Sequence, residues 1–140
     1  MGKLMLRVLG SFLGTVGVYG CADECDSAGC IDGLSVQFKE PVDAGSRIEI
    51  MVRQDEGATD CVVDRAAGLD ECTEQGVWIQ YDGESVRGFI LEAQHPEELD
   101  VTIVVEGAEV VSKTVTPEYV AEQPNGSDCS PRCLAATVVI

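Results

Sequence analysis

From residue 30 onward, apolar and polar residues alternate one for one instead of recurring at helical spacing. In the stretch LDVTIVVE, Leu99, Val101, Ile103 and Val105 share one face, and Asp100, Thr102 and Glu106 take the other. Leu34, Val36 and Phe38 alternate in the same way with Ser35, Gln37 and Lys39, as do Ile48, Ile50 and Val52 with Arg47, Glu49 and Arg53. This is the pattern of antiparallel strands with one face on a core and the other in water. Further strand segments are predicted at 60–64, 76–81, 85–91, 109–116 and 134–140. Turn residues fall between them. Asp82-Gly83 suits a type I′ hairpin, Gly107-Ala108 a type II′ hairpin, and Asn125-Gly126 marks another turn. About eight short strands, with helix expected only locally around Arg65 to Cys72, predict an all-β antiparallel sandwich of immunoglobulin-like form.

Residues 1–20 break this pattern. Lys3 and Arg7 come first, an uncharged run with four glycines follows at 8–20, and no acid appears before Asp23. A basic start, a short apolar run and small residues at its end describe a secretory signal helix. The run is short for a membrane span, which needs about 20 residues. The tetrapeptide Val18-Tyr19-Gly20-Cys21 resembles the lipobox of bacterial lipoproteins. That resemblance implies cleavage before Cys21 and lipidation of its thiol. With Ala22 next, it also implies sorting to the outer membrane; free secretion is the alternative. The chain then divides into a signal peptide (1–20), a lipidated cysteine with a short tether (21–29), and one domain (30–140).

Cysteine parity bears on this division. Seven cysteines cannot all pair within one chain, but without Cys21 an even set remains: Cys25, Cys30, Cys61, Cys72, Cys129 and Cys133. Those six would form three disulfides in an oxidising compartment. Cys61 with Cys72 would close a short loop, worth about 3 kcal/mol on the chain-entropy account. For the rest, Cys30 to Cys133 with Cys25 to Cys129 competes with the local pairs Cys25 to Cys30 and Cys129 to Cys133. Zinc fits poorly, since the spacings are CxxxxC and CxxxC and there is one histidine. The mature part resembles small cysteine-rich immunoglobulin-like sandwich domains.

Composition adds the scale of the core and the choice of partners. A chain of 140 residues, 45% hydrophobic, fits one domain, and with one Trp, three Tyr and three Phe its core must be aliphatic. All 25 acids follow Cys21 and two of the nine bases precede it, so the mature chain carries 7 − 25 = −18. Such a surface repels nucleic acid and anionic head groups. Membrane attachment would therefore run through acyl chains, leaving an unidentified protein or glycan as the soluble partner.

Candidate chemistry is sparse. His95 is the only imidazole and sits in a QHPEE loop, with no nucleophile elbow and no phosphate-binding glycine motif elsewhere. Pairs such as Glu97-Glu98 are inevitable among so many acids. The candidate calcium ligands are Asp55, Glu56, Asp82, Glu84, Asn125 and Asp128, all in predicted loops, where they also serve simply to solvate the surface. Trp78 and Phe89, on neighbouring predicted strands, are the candidate binding patch. The expectation is a non-enzymatic, lipid-anchored envelope module. A calcium-dependent adhesion or ligand-binding domain is the alternative, and a secreted hydrolase the remoter one.

Overall fold

The computed structural model describes residues 28–140; the leader, Cys21, most of the tether and Cys25 lie outside the described residues. The strands are β1 (Gly33–Asp43), β2 (Arg47–Gln54), β3 (Gly57–Asp64), β4 (Leu69–Asp70), β5 (Val77–Asp82), β6 (Ser85–Glu92), β7 (Leu99–Val105), β8 (Ala108–Val115), β9 (Val120–Glu122) and β10 (Cys133–Val139). They form two five-stranded sheets, ordered β5-β6-β1-β10-β9 and β4-β3-β2-β7-β8. Each sheet turns its apolar face to the other. Leu34, Val36, Phe89 and Leu91 from the first sheet share one buried cluster with Ile48, Ile50, Val52, Leu99, Val101 and Ile103 from the second. Each such side chain contributes about 1.5–3 kcal/mol when removed from water, so this aliphatic cluster is the main source of stability. The result is a β-sandwich.

The alternating segments bury the faces expected of them. In β7 the burial runs inward at Leu99, Val101 and Ile103. The first and last strands lie side by side: β1 pairs β10 in parallel, from Gly33 opposite Ala135 to Gln37 opposite Val139. On its other side β1 pairs β6 antiparallel.

Cys30 is bonded to Cys133 across 103 residues, and Cys61 to Cys72 across 11. The first bridge excludes the local scheme of Cys25 to Cys30 with Cys129 to Cys133. Cys129 is itself disulfide-bonded; Cys25, its expected partner, lies outside the described residues. The side-chain amide of Asn125 donates to the carbonyls of Ala28 and Ser130, and its oxygen accepts the Ala28 N–H, which ties the PNGSDCSPRC loop to the start of the domain.

Several local expectations are corrected. No helix spans Arg65 to Cys72. Gly68 is left-handed at φ 67°, the chain pairs briefly as β4, and a 3-10 turn follows at Thr73–Gln75. Asp70 causes the shift: its carboxylate accepts the N–H groups of Cys72 and Thr73 and the Thr73 hydroxyl, an Asx-type cap that starts the turn there. The β7–β8 hairpin turns on Glu106-Gly107, both with positive φ (51° and 79°), which is type I′ one residue earlier than the predicted type II′ site. The β5–β6 hairpin turns on Gly83-Glu84, one residue later than predicted. The strand count is higher than expected because β4 and β9 are too short to alternate.

Candidate functional site

The two sheets differ sharply on their outer faces. On the β2-bearing sheet that face carries charge, including Arg53, which pairs with Asp60, and Arg47, which pairs with Glu49 at 3.3 Å. On the β1-bearing sheet the charges, among them Arg87, Glu92 and Glu122, border the face and leave its central rows uncharged. Its register places Trp78, Ile90, Ser35 and Thr137 in one row across β5, β6, β1 and β10, and Gln80, Gly88, Gln37 and Val139 in the next. None of these side chains ionises.

Trp78 is 46% exposed at one end of its row, and its indole N–H donates to Glu92 at 2.8 Å. Phe89, its predicted partner, is not there. Phe89 lies opposite Ile79, is fully buried, and meets Phe38 edge-on at 6.2 Å between ring centres. The reason is a bulge: Arg87 is an extra residue opposite the step from Gln80 to Tyr81. It places Val86, Phe89 and Leu91 all inward, a spacing that strict alternation cannot produce. Ile90 is therefore the true cross-strand neighbour of Trp78.

Gly88 makes the middle of this face a trough. A Cβ there would sit 2.0 Å from the carbonyl oxygen of Val36, so no side chain can stand between Gln80 and Gln37. Ser35, 7% exposed, holds its hydroxyl 3.4 Å from the Gln80 side-chain oxygen. A groove of about 560 Å³ continues over Ser35, Gln37, Gln80 and Thr137 to a wall formed by Gly29, Ile31 and Glu122.

The second polar constellation lies at the end of the sandwich where β1 begins. His95 Nε2 is 3.1 Å from Asp32 Oδ1, and its ring meets Tyr119 edge-on at 5.5 Å. The Leu134 N–H, and then His95, hold the Asp32 carboxyl below its usual range. Burial pushes the Tyr119 phenol up to about 12, and its hydroxyl donates to the Pro96 carbonyl at 3.0 Å. An imidazole on a carboxylate is half of a nucleophile-activating arrangement. Among the described residues, however, His95 has no hydrogen bond to a hydroxyl or thiol. Sequence reasoning missed Asp32 because it lies 63 positions from His95, with no local motif to join them.

The loop acids do not converge. Asp55 and Glu56 line a cleft of about 770 Å³ with His95, Glu97 and Glu98, whereas Asp82 and Glu84 belong to the β5–β6 hairpin at the other end of β6. Asp82 is occupied by Arg87 at 2.7 Å, and Asn125 spends its amide on the backbone. Asp128 lies in the loop between β9 and β10. Among the described residues no group of three or more His, Cys, Asp or Glu is placed to hold a metal ion, and no helix is long and apolar enough to cross a membrane.

The fold and this face together define an all-β, disulfide-braced sandwich with two uncharged rows at the centre of one sheet face. No family model matches the chain, and neither a curated protein nor a solved structure shows a significant match to it.

Proposed function

We propose that this chain is an exported envelope protein, anchored by lipid on Cys21, whose sandwich is a structural or binding module without a catalytic step. The observation that carries the reading is the Cys30–Cys133 bridge, which joins the approach to the first strand to the start of the last. Such bridges persist in oxidising compartments and are rare in the cytosol. Parity supports the anchor, since setting Cys21 aside leaves an even six cysteines. The net charge of the mature chain favours acyl attachment over a basic patch, because it repels anionic head groups. Engagement of His95 by Asp32, with no hydroxyl or thiol hydrogen-bonded to the ring among the described residues, favours binding over hydrolysis.

The test is incorporation of a labelled fatty acid into the wild type and Cys21→Ser, followed by membrane fractionation. Label and membrane association are expected in the wild type and lost in the variant. Label retained in Cys21→Ser would refute the anchor.

A further inference from the structure

We propose that the outer face of the β5-β6-β1-β10-β9 sheet binds an uncharged, polyhydroxylated chain, a neutral glycan. The proposal rests on the binding-module reading and names the ligand class of that module.

Charge decides between ligand classes first. Around this face the mature chain carries −18, so an anionic polymer is repelled before it arrives. A cation finds no carboxylate in the rows from Trp78 to Thr137 and from Gln80 to Val139, only Glu92, engaged by the Trp78 indole, and Glu122 in the groove wall, and among the described residues these belong to no metal-holding group. A neutral ligand meets neither obstacle.

Hydrogen-bonding chemistry decides next. Gln80 and Gln37 each present a donor and an acceptor, and Ser35 and Thr137 add hydroxyls that do both. Adjacent hydroxyls of a sugar offer the same mixed pattern. The long Ser35–Gln80 contact of 3.4 Å leaves both groups able to take a better partner. The trough at Gly88 admits a chain between the two glutamines, and the backbone fixes it open.

Trp78 supplies the apolar surface. Its polar edge is tied to Glu92, so the exposed part of the ring is available to the C–H face of a sugar ring. A peptide strand is the poorer occupant, because the backbone groups of central strands β6, β1 and β10 are already paired within the sheet. A folded protein partner is poorer too. Interface centres are apolar, whereas the centre of this face is Ser35, Gln37 and Gly88.

Because Trp78 is the only tryptophan of the chain, its fluorescence reports on this face alone. The full-length protein, expressed with its leader and purified in detergent from the host envelope, is titrated with neutral oligosaccharides of glucose, mannose, galactose and N-acetylglucosamine. A saturable change in emission is expected with at least one of them and none with polyglutamate or heparin. Trp78→Ala is expected to bind that glycan at least about ten-fold more weakly by affinity electrophoresis, equivalent to about 1.4 kcal/mol. Gln37→Lys, exposed and safe for folding, is expected to do the same. Silence with every neutral glycan, or unchanged migration of both variants, would overturn the proposal. Capture of an envelope protein by the wild type but not by Gln37→Lys, without glycan binding, would also overturn it while leaving the binding module standing.

Discussion

Asp32 and Leu134, 102 positions apart, are joined by one hydrogen bond: the carboxylate of Asp32 accepts the Leu134 N–H at 2.8 Å. Asp32 precedes β1 and Leu134 is the second residue of β10, so the bond closes the same seam that Cys30–Cys133 closes covalently. A carboxylate held below its unfolded value of 3.8 contributes stability above that pH and loses it as pH falls through the lowered folded value. The wild type is therefore expected to lose stability on acidification below pH 3.8 more steeply than Asp32→Asn. Acid titration followed by circular dichroism checks this; parallel curves would remove Asp32 from the acid response.

The Cys61–Cys72 bridge ties β3 to the 3-10 turn over a separation of 11 residues. Both cysteines are buried, so a Cys61→Ala/Cys72→Ala variant keeps the site apolar and loses chiefly the cross-link. Urea unfolding is expected to show a loss of about 3 kcal/mol. A loss below about 1 kcal/mol would mean that the unfolded state is already constrained there.

Gly88 (φ 157°) and Gly83 (φ 62°) both hold backbone that side chains rarely adopt, and only Gly88 adds a close approach. At Gly88 a methyl group would meet the Val36 carbonyl at 2.0 Å, whereas at Gly83, in the β5–β6 turn with φ 62°, it would meet nothing within 4 Å. Gly83→Ala is expected to cost about 1 kcal/mol, from the left-handed backbone alone. Gly88→Ala is expected to cost about 3 kcal/mol or more, since the ladder between β1 and β6 must part. Equal midpoints in thermal melts would contradict the assignment.

At the edge strand β8, Lys113 lies opposite Val101, on the core side of the sheet. With the bulge at Val110, an inward-facing charge is a standard defence of an open edge against another strand. Lys113→Val is expected to promote concentration-dependent association, measured by sedimentation, without loss of monomer stability. A strictly monomeric variant would show that the bulge alone protects the edge.

How far the chain could be read depends on the element. Strands β1, β2 and β7 were legible because each alternates apolar and polar residues, as in Leu34, Val36 and Phe38, although Ser35 on the other face of β1 is buried too. Strand β6 was legible as a strand but not in its facing: the bulge at Arg87 put Phe89 inside, and nothing local announces a bulge. Strand β9 has all three of its residues exposed and is defined only by its pairing with β10. The turn after Cys72 was missed because one side chain, Asp70, redirects three hydrogen bonds. At the candidate site Trp78 could be singled out, but the row it belongs to could not. That row is assembled from β5, β6, β1 and β10, and no segment contains more than one of its members.

By itself, the sequence determined what short-range physics controls: strands from period-two burial, an aliphatic core from the scarcity of aromatics, a strongly negative surface, and the even cysteine set from Cys25 onward. Tertiary structure alone decided the parallel pairing of β1 with β10, the Cys30–Cys133 and Asp32–Leu134 closures, and the two uncharged rows with their trough at Gly88. These are relations between residues far apart in the chain. Their distances are set by how two sheets pack and by where a bulge shifts the register, and neither is written in any local run of residues.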